Sequence, residues 1–365
     1  MLRYRDIHKQ SRYALCSQYL NILRQASVAC RLAIFLASCL GVSTPCLAQE
    51  RRSVSFRLDS DFRSRLATSG QSRTGLFSNT LFLDAHLNPN WRFRYQGRQT
   101  NAPNLTGEGD AMRINRFITQ EALLEKEWGA QRLQLGIVRL PIGIYNHSET
   151  YASGLIDWPL VRVDYQFLAV DHGVPGVAWS GGNPRLQVET AWFGGKSSGV
   201  WNDLTNLGGA AFRLQTYQAG LILGYSRWDG YRTTIPPGLP DGARNGVHLN
   251  GLDVRYTRPH LLLRGEYIVG NSGGINVHGW YLDAYYHLPK YLRFTLTGRL
   301  EEFKPDPSIP LSKQMTFGLR YTLNSDWILA VNWRRNNGPT YKMTWTPPTG
   351  GGGDIFFQVY HKFPF

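Results

Sequence analysis

The sequence predicts an all-β protein, a transmembrane antiparallel β-barrel of about 16 strands. Three features of the 365-residue chain predict it. Polar and apolar residues alternate with period two over segments of roughly ten residues. Very short turns alternate with long Gly-, Pro- and Asn-rich connections. Although 42% of the residues are hydrophobic, no apolar run reaches the ~18 residues that a spanning helix needs, so a membrane crossing has to use strands.

The alternation is cleanest in Trp91–Arg98 (WRFRYQGR), where Trp91, Phe93 and Tyr95 share one face while Arg92, Arg94, Gln96 and Arg98 share the other. An amphipathic helix repeats its apolar residues every three or four positions, so this segment is a strand. The same pattern runs through 292–300, 315–323 and 327–334. It predicts that Trp91, Phe93, Tyr95, Phe317, Tyr321, Trp327, Val331 and Trp333 face lipid, with aromatics near the ends of the greasy face as in an interfacial girdle. The segment 121–128 (EALLEKEW) has helical residue types, but it is predicted as a strand because its neighbours would otherwise lose pairing partners.

The connections set the strand number. Short turns are expected at 88–90, 129–131, 181–184, near Thr216, and at 258–260, 288–290 and 324–326. Long connections are expected around 67–75, 100–111, 140–172, 195–209, 229–246, 271–275, 305–311 and 338–353. Seven short and eight long connections give 16 antiparallel strands with both chain ends on the periplasmic side.

The first 48 residues read as an address, not as fold. Basic residues ending at Arg31 precede the apolar stretch 32–43 and the small residues before Ala48, so residues 1–48 are expected to be a cleaved signal peptide with a long basic region. Residues 49–365 are then the barrel. A rival reading makes Leu36–Cys39 a lipoprotein box, with few apolar residues before the cysteine. All four cysteines, Cys16, Cys30, Cys39 and Cys46, lie in this leader, so the body is neither a disulfide scaffold nor a thiolate metal site, and no cofactor or metal is expected. The body keeps 34 Lys and Arg against 25 Asp and Glu, a charge of +9 with only seven lysines. Without a compact basic run in an exported chain, nucleic acid is not the expected partner.

One connection is too long to be only a link, the stretch of about thirty residues after Leu135–Asn146 (LGIVRLPIGIYN). Here the sequence resembles the porin superfamily, whose members commonly read Gly-x-x-Arg-Leu-Pro-x-Gly-x-Tyr at this place, matched by Gly136, Arg139, Leu140, Pro141, Gly143 and Tyr145. The motif resemblance covers about residues 136–175, and the architecture extends it over the mature chain. It implies a 16-stranded outer-membrane barrel of the general-porin type, a third loop folded into the lumen as a constriction, a homotrimer, and passive diffusion of small hydrophilic solutes.

On that reading the loop acids Glu149, Asp157 and Asp164 face arginines on the wall. The wall candidates are Arg92, Arg94, Arg98, Arg299, Arg320 and Arg334, with Arg57, Arg213, Arg255, Arg264 and Arg293 in the same polar phase. The bland alternative pairs each arginine with a nearby luminal acid such as Asp59, Asp84, Asp253, Glu266 or Asp283. Surplus arginines lining water favour anions. The loop aromatics Tyr145, Tyr151, Trp158, Tyr165 and Phe167 either pack the loop or offer stacking faces to sugars, which leaves a carbohydrate-selective porin as an alternative.

Enzymatic readings are weaker. Asp84 and His86 share a strand face and His147, Ser148 and Glu149 adjoin, yet adjacent residues do not face one another as a triad does, and no Gly-x-Ser-x-Gly occurs. A barrel hydrolase therefore stands below a non-enzymatic channel. The last strand places Ile355, Phe357, Val359, Phe363 and Phe365 at alternate positions, which resembles the assembly signal of Gram-negative outer-membrane barrels; His361 and Pro364 depart from it. The expected partners are thus outer-membrane lipid and lipopolysaccharide, the assembly machinery through Phe365, small hydrophilic solutes, and further copies of the chain.

Overall fold

A computed structural model describes residues 54–67, 73–102, 114–144, 154–156, 159, 173–196, 206–233, 245–272, 274–304, 311–337 and 353–364. They form 16 antiparallel strands, each paired with its sequence neighbours, and β1 (Val54–Ala67) closes on β16 (Gly353–Pro364). Closure removes both sheet edges, so every backbone group in the wall can pair without water.

The strands after β1 are β2 (Arg73–Asn88), β3 (Trp91–Ala102), β4 (Ile114–Trp128), β5 (Gln131–Arg139), β6 (Gly173–Asn183), β7 (Leu186–Lys196) and β8 (Asn206–Gln218). The second half comprises β9 (Leu221–Arg232), β10 (Asn245–Arg258), β11 (Leu261–Ser272), β12 (Ile275–His287), β13 (Phe294–Lys304), β14 (Ser312–Thr322) and β15 (Trp327–Asn337). Both ends of the barrel chain lie at one rim, together with the seven short turns. That end is called the turn rim, and the opposite end the loop rim.

Residues 121–128 lie in β4, as predicted, and the pairing explains their helical types. Glu121 and Glu125 point inward opposite Gln96 and Arg92, with Leu123 between them, so charges that would stabilise a helix are matched across strands instead. Two turn predictions need correction. The turn placed near Thr216 falls at Ala219 and Gly220, both with positive φ (48° and 85°). That is the hairpin geometry usually signalled by Asn-Gly, and here an alanine occupies the strained position. The connection at 271–275 is short, not long, because Ser272 pairs with Ile275. The Asn271 side chain accepts the Gly274 amide at 2.9 Å and closes a tight turn.

The outer face is apolar and exposed: Phe62, Leu252, Phe317 and Phe357 stand 47%, 57%, 52% and 48% exposed in the isolated chain. Such a surface is built for hydrocarbon, not water. Trp327, Val331, Trp333, Phe317 and Tyr321 occupy this outer phase, the opposite phase to buried Ala330, Asn332, Arg334 and Thr316. Trp91, Phe93 and Tyr95 likewise alternate with the buried, inward Gln96 and Arg98.

In β16, Ile355, Phe357, Val359 and Phe363 point outward, while Phe365 lies outside the described residues. His361 shares that outward face and sits between the Trp327 ring (4.0 Å) and the Phe363 ring (3.8 Å), so it acts there as one more aromatic.

Candidate functional site: the barrel interior

The described residues of the connection after β5 begin with a buried stretch. Leu140, Pro141, Ile142, Gly143 and Ile144 are all buried. The Gly143 amide donates to the Ser226 hydroxyl on the inner face of β9 at 3.3 Å, and its φ of +59° lets the chain bend there. Leu140 and Ile142 pack on inward-facing Val138, Val174, Phe193, Leu207, Trp228, Val247 and Leu249. Such inward apolar residues would be unusual in a water-filled barrel without a loop to cover them.

Farther along the same connection, residues 154–156 rest on the other side of the wall. Asn332 of β15 donates its side-chain amide to the Gly154 carbonyl and accepts the Ile156 amide, both at 2.8 Å. Arg63 of β1 donates to the Ile156 carbonyl. Gly154 (φ +94°) is packed so closely that a Cβ there would lie 2.8 Å from Arg320 Cβ and 3.1 Å from Thr297 Cγ2. Ile156 packs with Ala330 and Phe356. Two stretches of one connection thus touch inward side chains of β9 and of β13 to β1, strands on different parts of the wall.

The described interior residues leave a cavity of about 540 Å³ bounded by Arg139 and Pro141 at the root of this connection. Arg57, Arg92, Arg94, Arg132 and Arg139 line it, against Asp84, Glu121 and Glu189. Three of these arginines come from β1 and β3, two from β5, and the acids from β2, β4 and β7. Neighbouring strands therefore supply opposite signs.

The β3 row Arg92, Arg94 and Arg98 faces inward, and each member finds partners on adjacent strands. Arg92 donates Nε to Asp84 at 2.6 Å with a second bond from Nη2, and its Nη1 lies 3.7 Å from Glu125. Arg94 lies 3.6 Å from both Glu121 and Glu125. Arg98 is buried and donates to the Ser78 hydroxyl at 3.1 Å. The bidentate pair with Arg92 also occupies the Asp84 carboxylate that an acid/base reading would need, while His86 stands 3.9 Å from it.

The remaining wall arginines divide into two kinds. Arg299 and Arg264 both bind fully buried Asp283, at 2.6 and 2.9 Å, and the Tyr285 hydroxyl donates to the same carboxylate at 3.2 Å. Arg334 binds buried Asp354 at 3.1 Å and Arg213 binds Asp253 at 2.7 Å. These charges are spent inside the wall. Arg320 has no acidic partner among the described residues, and Gly154 packs on its side chain. Arg293 lies in the turn before β13 and Arg255 is exposed at the turn-rim end of β10. Glu149, Asp157 and Asp164 lie outside the described residues, as do His147, Ser148 and the five loop aromatics.

Sequence reasoning missed Arg132, Arg139 and Glu189 as cavity residues. Arg139 is a motif position and was therefore visible, but its side chain donates to Gln96 and lies 3.8 Å from Glu121, contacts that only the closed wall creates.

No protein-family profile matches the chain, and no curated protein sequence does. Solved structures do. OmpF of Salmonella typhi, in complex with daunomycin, superposes with a TM-score of 0.64 at 11% identity, covering 87% of this chain and 99% of that one. An anion-selective porin from Comamonas acidovorans gives 0.60 at 11%, covering 86% and 100%. The trimer form of OmpT from Vibrio cholerae, folded in vitro, gives 0.58 at 10%, covering 86% and 99%. The fold is that of the 16-stranded outer-membrane porins.

Proposed function

We propose that the chain is a porin of the Gram-negative outer membrane, a water-filled passage for passive diffusion of small hydrophilic solutes with a preference for anions. The observation that carries this reading is the cavity beside the root of the β5–β6 connection, lined by five arginines against three acids. A wall of 16 strands is too wide for its own side chains to fill, and an inward loop narrows it. The arginine surplus raises local anion concentration over the ~8 Å that physiological salt allows. Loop acids Glu149, Asp157 and Asp164 are the groups that oppose it.

The same reading makes the chain non-enzymatic, inserted with the help of Phe365, surrounded by lipopolysaccharide and assembled as a homotrimer. The trimeric form recorded for a structure of the same fold supports the last point. Proteoliposome swelling tests the passage itself. The purified protein should admit small uncharged sugars at rates that fall steeply with solute size, and vesicles that do not swell would refute an open pore.

A further inference from the structure

Across the barrel from the arginine-lined cavity, the turn rim carries a cationic sector. The stretches 256–263, 284–298 and 316–323, which hold the turn-rim ends of β10 to β14, contain four Arg and Lys and two His but no Asp or Glu. Arg258, His260, Lys290 and Arg293 lie exposed in or beside the connecting turns. His287 and Arg320 instead point into the lumen. His287 shares the phase of buried Asp283 and Tyr285 on β12, and Arg320 that of buried Thr316 on β14.

The strand registers bring these two together. His287 pairs with Thr295 of β13, and Thr295 pairs with Arg320 of β14, so the three stand side by side on adjacent strands. At ~4.8 Å between strands, the Cα atoms of His287 and Arg320 are roughly 10 Å apart, within the combined reach of the two side chains. The Thr295 hydroxyl and His287 Nδ1 share a hydrogen bond of 2.9 Å, which orients the ring and leaves Nε2 without a partner among the described residues. Arg320 and His260 both lie within electrostatic range of that ring. Gly154 packs against Cβ and Cδ of Arg320 and so fixes its stem. The Arg320 Nε is shut off from water without a hydrogen-bond partner, and no acid among the described residues pairs with the guanidinium. A planar guanidinium presents parallel N–H donors that match two oxygens of one carboxylate or phosphate, which a halide lacks. The His287 ring adds a further donor, and the exposed cations of the sector raise the local anion concentration.

We propose that His287 and Arg320 form an oxoanion-binding subsite at the turn-rim mouth of the pore, where a solute's phosphate or carboxylate group is held as it enters or leaves the lumen. The inference rests on the pore reading, but on none of the arginines that line the cavity. The test is the single-channel chloride current in dilute potassium chloride with inorganic phosphate, acetate or bromide added on the turn-rim side. Phosphate and acetate should slow the wild-type current at millimolar concentration, whereas bromide, charged like acetate but without oxygens, should not. Arg320→Gln should raise the half-blocking concentration at least tenfold. Arg320→Lys keeps the charge but loses the fork, and should raise it almost as far.

Block by phosphate alone would assign the subsite to phosphate, and block by both probes to either group. Equal block by bromide, or full block in Arg320→Lys, would reduce the subsite to a general positive field and overturn the proposal. So would block that survives Arg320→Gln but disappears in Arg92→Gln/Arg94→Gln/Arg98→Gln, because the oxoanion would then sit in the cavity. Should Arg320→Gln not fold, His287→Asn takes its place, with at least a threefold rise expected and no rise contradicting the assignment. A channel that conducts normally but ignores both oxoanions fails only this inference. A protein that conducts nothing fails the pore reading, and the subsite is then judged on the folded protein in detergent by phosphorus NMR. Its broadening of the inorganic phosphate line should be lost in Arg320→Gln, and unchanged broadening would refute the subsite.

Discussion

At the scale of single residues, the interior is ruled by whether each arginine meets an acid. Asp84 holds Arg92 through two bonds, so Asp84→Asn should release a positive charge into the cavity and raise the chloride-to-potassium permeability ratio; an unchanged ratio would mean that the cavity is off the conduction path. Asn332 satisfies both a carbonyl and an amide of residues 154–156. Replacing it with alanine leaves these groups unsatisfied, at a cost of roughly 1–3 kcal/mol each if water cannot reach them. The expected readout is a noisier and larger single-channel current in the variant than in the wild type, and a variant current as quiet and as small as the wild type's would count against this anchoring. The sequence showed which arginines face inward, since Arg92, Arg94 and Arg98 alternate with aromatics. It could not show their partners, because Asp84, Glu121 and Glu125 become neighbours only through the registers of β2 and β4.

At the scale of elements, period two was the decisive signal, and where it failed there is a physical reason. In β9 (Leu221–Arg232) Trp228 points inward and Arg227 outward, the reverse of a water-filled barrel's pattern, because the inner wall there packs on the loop and the outer wall approaches the membrane boundary. Such strands read ambiguously from sequence alone. The turn at Ala219–Gly220 was hidden because Gln215–Gln218 continues the strand in polar residues with no breaker before Gly220. The outward phase gives a direct test. Val331 pairs with Leu319 and Phe357 on that face, so Val331→Arg near the midplane should cost on the order of 2–4 kcal/mol in folding titrations into lipid vesicles, and no loss would reverse the assigned face.

At the scale of the whole molecule, the proposed function combines a closed wall, a connection that touches inward side chains and an excess of arginine in one cavity. Strand count and closure were legible because turn spacing and alternation are local, whereas the cavity was not, because it depends on which side chains meet across 16 strands. The central claim is that this cavity conducts and prefers anions. The most direct test is the reversal potential of single channels in a potassium chloride gradient, for the wild type and for Arg92→Gln/Arg94→Gln/Arg98→Gln. The wild type should show chloride permeating faster than potassium, and the triple variant a shift toward potassium. A cation-selective wild type, or a variant indistinguishable from it, would contradict the electrostatic account.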